Sequence, residues 1–204
     1  MSPIHTAGAL RRARLLSQTL ALSWALAACG GGADGGAPAT APAPPAAQAP
    51  ASPVAGTRAT CNLADFQAEV LRLVNAARAA GGSCGSSGSF APSTPLAWNN
   101  ALAQAALVHS DDMVAGDFFS HTGSDGSSAG TRAAAAGYSA GTWGENIAAG
   151  QPTVAAVMQA WMASPGHCAN ILRASYRDIG LACVAGTGDS RYGTYWTMVL
   201  GAPR

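Results

Sequence analysis

The chain contains no lysine and only two glutamates, Glu69 and Glu145, and charged residues make up 10% of its 204 positions. Three of its eleven basic residues, Arg11, Arg12 and Arg14, precede an apolar run. Without them the remaining arginines face ten acidic residues, a net charge of about −2. That balance excludes a nucleic-acid partner, which requires a basic footprint. The apolar run at residues 20–28 is too short for a permanent transmembrane helix. No Cys-x-x-Cys pair occurs, so a zinc-thiolate site has little support. There is no His-Glu-x-x-His and no Gly-x-Ser-x-Gly elbow. The turn at Asp125-Gly126 lacks the alternating acidic ligands of a calcium loop.

What is present begins with an export signal. Basic residues, a short apolar run and small residues make residues 1–28 a secretory signal peptide. Leu26-Ala27-Ala28-Cys29 resembles a bacterial lipobox, which implies cleavage before Cys29 and lipid on its sulfur and amine. The alternative is ordinary cleavage nearby with Cys29 unmodified. Gly30 follows Cys29, and in a Gram-negative cell that arrangement resembles a lipoprotein bound for the outer membrane. Residues 29–57 are nearly all Gly, Ala, Pro, Ser, Thr and Gln, too polar and too simple to offset ordering entropy. They read as a linker that holds a domain, residues 58–204, away from a membrane.

Cys61, Cys84, Cys168 and Cys183 remain in the domain. An even count in an exported chain predicts two disulfides, with three pairings possible. Cys61–Cys84 with Cys168–Cys183 is favoured because each pair brackets one local unit, each loop adding roughly 3 kcal/mol. Leu63, Phe66, Val70, Leu73 (with Val74) and Ala77 recur at helical spacing after a cap at Asn62, and Gly81-Gly82 stop that helix. A second helix starts at Asn99 or Asn100 and ends near Gly116. A third covers roughly residues 127–136, and a fourth begins at Pro152 and ends at Pro165-Gly166. Ile179, Leu181 and Cys183 alternate as a strand, and residues 192–200 form its hairpin partner across a glycine-rich turn. Residues 143–149 supply another strand. Helices first and strands late predict an α+β fold.

Several segments in this order resemble the CAP superfamily, also called SCP-like, which includes cysteine-rich secretory, venom antigen and pathogenesis-related proteins. They are Val74-Asn75-Ala76-Ala77-Arg78, His109-Ser110-Asp111-Asp112-Met113, Phe119-Ser120-His121-Thr122-Gly123, Gly144-Glu145-Asn146-Ile147-Ala148 and Trp161 to Leu172. Asp178-Ile179-Gly180-Leu181 and Tyr195-Trp196-Thr197-Met198 close the series. The resemblance implies a three-layer α-β-α sandwich around a central antiparallel sheet, with a cleft on one side. It also implies a cleft set of two histidines and two acidic residues able to hold a divalent metal. His121, Glu145 and His167 match three of those positions, and Ser164 stands where the second carboxylate would be.

The chemistry follows from these residue types. Two neutral imidazoles suit Zn²⁺ or a similar divalent ion, and a carboxylate can serve as general base or orient a histidine. His121 and His167 are the expected metal ligands, Glu145 the expected catalytic group, and Ser164 and His109 further cleft residues. His109 also lies on an apolar helical stripe, which favours a structural role. Met113, Met158 and Trp161 read as core, and Asp111-Asp112 as a solvated helix face. The leading functional expectation is an exported, lipid-anchored module of the cell envelope that binds a small, lipid or peptide-like ligand. One alternative is a metal-dependent hydrolase of envelope peptides or glycans with Glu145 as base. The other is a structural or interaction domain without a working cleft.

Overall fold

A computed structural model describes residues 57–204. The signal segment, Cys29 and the linker up to residue 56 lie outside the described residues. Helix α1 (Phe66–Ala80) is followed by the two-residue strands β1 (Gly82–Ser83), β2 (Ser89–Phe90) and β3 (Ala97–Trp98). Then come α2 (Asn100–Ala115), α3 (Ala129–Ala135), β4 (Ala140–Ala149), α4 (Val154–Ala163) and α5 (Pro165–Leu172). The hairpin β5 (Asp178–Ala185) and β6 (Thr194–Pro203) ends the chain.

The main sheet has the order β3-β5-β6-β4. Its three long strands are antiparallel, and the short edge strand β3 joins β5 in parallel. The sheet alternation decides which layer each strand residue enters. Ile179, Leu181, Trp196 and Met198 pack with α1, α4 and α5. Ala182 and Val199 face Leu102, Ala105 and Ala106 of α2. Both faces are therefore covered, which is why β5 and β6 are buried almost from end to end. The α+β, three-layer architecture expected from the sequence is the architecture observed. Gly180 shows how tightly α2 seats: a Cβ there would collide with the backbone at Leu102 and Ala103.

Local signals set most boundaries. Asn99 caps α2 by accepting from the N–H groups of Ala101 (2.9 Å) and Leu102 (3.2 Å). Ser128 and Thr131 form a reciprocal capping box on α3. Two expected starts move. Asp65, with φ 49°, precedes α1 in place of Asn62, which sits in the preceding turn at φ 59°. Thr153 caps α4 in place of Pro152. Pro165 ends α4 and also opens α5 at its first turn, so a helix carrying His167 and Cys168 stands where only a stop was expected.

The disulfide pairing corrects the expected one. The bonds are Cys61–Cys183 and Cys84–Cys168, with Cα separations of 5.3 and 5.6 Å. Cys61–Cys84 and Cys168–Cys183 do not form. Cys61 and Cys84 lie beyond opposite ends of α1, and a helix of 15 residues carries the chain about 22 Å, far beyond disulfide reach. Instead, the segment before α1 runs beside β5, where the Cys61 N–H donates to the Cys183 carbonyl at 3.0 Å. Each bond staples segments distant in sequence rather than closing a local loop.

Candidate functional site

The site is built around one buried carboxylate. Glu145 lies on β4 with its side chain 4% exposed. Oε2 accepts from Arg132 Nη2 at 2.7 Å, and Oε1 accepts from His121 Nδ1 at 2.7 Å. Because a carboxylate can only accept, Nδ1 of His121 carries the hydrogen, and the neutral ring keeps its lone pair on Nε2. The His121 side chain is 58% exposed.

The loop carrying His121 is pinned from three sides. His109, fully buried on α2, donates through Nε2 to the Ser120 carbonyl at 2.8 Å. Arg132 reaches the His121 carbonyl at 3.2 Å and the Ser127 carbonyl at 2.8 Å. Asp112 accepts from the Ser124 N–H at 2.8 Å and the Ser124 hydroxyl at 2.6 Å. Asp112 is thus more than a solvated helix face. His109 Nε2 also stands 4.0 Å from Glu145 Oε1, while its Nδ1 is buried without a hydrogen-bond partner. His109 does not line the cleft as expected. Its place on the apolar stripe of α2 turns the ring inward, and it supports the loop from behind.

His167 sits in the first turn of α5, half-buried. Asn146 Nδ2 donates to its carbonyl at 3.0 Å, and Asn170 Nδ2 donates to the Glu145 carbonyl at 3.1 Å and to Asn146 Oδ1 at 3.0 Å. This amide ladder fixes α5 against β4. Burial, with repulsion from His121 when that ring is protonated, holds the His167 pKa below the ordinary imidazole value. Burial does the same for His109, reinforced by Arg132 and opposed by Glu145. The His167 ring and Ser164 line a cleft of about 330 Å³ with Phe119, Trp161, Gln151 and Tyr192. His121 and Glu145 are not among its lining residues, although Phe119 and Ile147, two positions from each, are.

Glu145 and His121 therefore meet directly, and His167 lies within electrostatic range of His121. Sequence reasoning missed Arg132, the partner that makes burial of Glu145 tolerable. The available signal was a lone arginine in the Ala/Gly-rich α3 of a lysine-free domain. For a divalent metal, the donor chemistry is two neutral imidazoles. Each oxygen of Glu145 accepts one hydrogen bond and the side chain is 4% exposed, so it orients His121 from within the fold. Among the described residues no three His, Cys, Asp or Glu side chains form a metal cage.

The chain belongs to the CAP family: a family model described as "Cysteine-rich secretory protein family" matches residues 71–200. It is similar to "Uncharacterized protein YkwD" of Bacillus subtilis (strain 168), 32% identical over 142 residues, which cover 70% of this chain and 49% of that protein. The chain thus spans about half the length of that relative. In three dimensions it is similar to an outer surface protein from Borrelia burgdorferi, with TM-score 0.53 and 17% identity over 67% of this chain and 89% of that one. At that identity the likeness concerns the fold. An extracellular protein containing a SCP domain from Bacillus anthracis str. Ames aligns at 29% identity and TM-score 0.46, over 53% of this chain and 34% of that one.

Proposed function

We infer that this protein is an exported CAP-domain binding module of the cell envelope, tethered by lipid on Cys29, whose cleft beside His167 takes a small ligand. One observation carries the reading: both oxygens of Glu145 are already engaged, one by Arg132 and one by His121. A general base must be reached by the proton it takes, and this doubly engaged side chain is only 4% exposed. Here the carboxylate instead neutralises a buried guanidinium and fixes a histidine tautomer. Ser164 at the position of the family's second acid leaves no alternative carboxylate beside His167.

The cleft supports binding. Its walls are largely aromatic and aliphatic, with a few polar groups, the usual composition of small-molecule sites, and its volume falls near the lower end of their range. A divalent ion such as zinc would be held by His121 and His167, supplying a Lewis-acidic anchor for a ligand's oxygen. His121 is oriented for this by Glu145, and His167 is held by Asn146. Two disulfides among the described residues support an oxidising, extracytoplasmic location. The tether predicts a lipidated N-terminal Cys29 in protein taken from membranes, which intact-mass spectrometry reads directly.

The test is ligand uptake measured together with product formation. The purified full chain is incubated with lipids, short peptides and oligosaccharides, with and without zinc. Saturable uptake of ligand recovered intact is expected. Absence of uptake across the panel would overturn the binding reading. Turnover lost in a folded Glu145→Gln variant would replace it with the hydrolase reading.

A further inference from the structure

The cleft beside His167 is lined without a single charged side chain. Arg132, beside Glu145, is spent on Glu145, His121 and Ser127. A ligand whose affinity depends on a carboxylate, phosphate or ammonium therefore finds no counter-charge on the walls. Strand addition by a peptide is also obstructed. Outward carbonyls of β4 at the cleft are already occupied, that of Glu145 by Asn170 and that of Ile147 by Trp161 Nε1 at 3.1 Å, so the free edge this mode requires is missing there.

What the walls do offer is an aromatic corner and neutral polar groups. Phe119, 42% exposed, meets Tyr192 edge to face, with centroids 6.0 Å apart and planes at 61°. Tyr192 in turn meets Tyr195 at 5.7 Å and 77°. The corner is held in place: Asp117, at φ 45°, accepts from the Arg191 N–H at 2.8 Å and from the Tyr195 hydroxyl at 3.1 Å. Across the cleft, the backbone of Gln151 is anchored because its carbonyl accepts from Thr194 Oγ1 at 2.9 Å and Trp196 Nε1 at 3.0 Å. Its side-chain Oε1 is buried and has no hydrogen-bond partner. A buried acceptor without a donor is costly unless something supplies one.

We propose that the ligand is an uncharged glycan, with one sugar ring stacked in the Phe119–Tyr192 corner and a ring hydroxyl donating to Gln151. This rests on the binding reading above and names its ligand class. The C–H face of a pyranose is apolar and slightly positive, matching the negative face of an aromatic ring. Its hydroxyls match neutral amide, imidazole and hydroxyl groups rather than ions. The backbone anchors fix Gln151 and the aromatic corner before any ligand arrives, which lowers the ordering cost of binding.

The experiment is ligand-observed NMR and intrinsic fluorescence titration of the purified full chain. The probes are an N-acetylglucosamine tetramer and cellotetraose as neutral glycans, with palmitate and a neutral hexapeptide as comparators. Saturable binding of at least one glycan is expected without added metal, changing less than about twofold between roughly 50 and 500 mM salt because neither the probe nor the lining side chains are charged. Gln151→Ala and Phe119→Ala should each weaken it about tenfold, the scale of one lost contact, with the wild-type melting temperature confirming that Gln151→Ala is folded. No saturable glycan binding, or binding indifferent to both substitutions, overturns the assignment. If palmitate or the peptide saturates the cleft instead, the glycan assignment falls and the binding reading stands. If nothing binds, both fall.

Discussion

Arg132 and Glu145 form a buried ion pair, each side chain 4% exposed, and the pair decides how the site works. Removing one member of such a pair leaves the other charge uncompensated, at a cost of about 3–5 kcal/mol. Arg132→Met is therefore expected to lower the urea-unfolding free energy by that amount; a loss below about 1 kcal/mol, the scale of an exposed pair, would contradict the burial argument. His109 sets a pH dependence. Burial depresses its pKa in the folded state, so the unfolded chain binds the proton more readily. Its stabilising contribution is complete above the ordinary imidazole value near ~6.5 and is lost as pH falls from there toward the folded value. The melting temperature should drop between neutral pH and pH ~5. His109→Gln, which can still donate to Ser120, should flatten the slope. A slope unchanged by that substitution would assign the dependence elsewhere. Zinc, if held as proposed, should bind with heat detectable by calorimetry that disappears in either His121→Ala or His167→Ala. Heat surviving both would remove the two-imidazole site.

At the scale of elements, the geometry depends on how α2, α3 and α5 are fastened to β4. The loop from residue 117 to 128 has no regular structure. Yet it presents His121 reproducibly, because His109, Asp112 and Arg132 each hold one of its backbone groups. The Cys84–Cys168 bond fixes the start of α5, and with it His167. A closed loop of 84 residues corresponds to roughly 4.6 kcal/mol of chain entropy. Cys84→Ser with Cys168→Ser should destabilise by that order in denaturant unfolding, and peptide mapping of the wild-type chain without reductant should recover Cys61 joined to Cys183. Recovery of Cys61 joined to Cys84 would contradict the fold. Gly180→Ala should cost about 1–3 kcal/mol, because the new methyl meets helix backbone rather than a flexible side chain.

These same elements explain what could be read in advance. Asn99, Ser128 and Gly116 mark helix ends through local backbone chemistry, so α2 and α3 are legible to within a residue or two. The hydrophobic alternation of Ile179, Leu181 and Cys183 likewise announces β5. Disulfide partners depend on which segments fold side by side, and spacing carries no trace of Cys61 running along β5. Arg132 is opaque for the same reason: its role exists only because α3 lies over β4 and delivers a guanidinium to Glu145. His121, Glu145 and His167 were legible through the segments that resemble the family, whereas the engagement of both Glu145 oxygens required coordinates.

At the scale of the whole molecule, a three-layer sandwich holds one loop and one helix, through His109, Asp112, Arg132, Asn146 and Asn170, around a small cleft whose walls carry no charged side chain. In the proposed reading the buried carboxylate stabilises that frame rather than attacking a substrate. The most direct measurement is mass spectrometry of ligands after prolonged incubation with the full chain, with zinc present and absent, alongside their binding isotherms. Saturable binding at one ligand per chain, with every bound ligand recovered intact, is the predicted result. Product accumulating beyond one equivalent per chain, and lost in a folded Glu145→Gln variant, would contradict it.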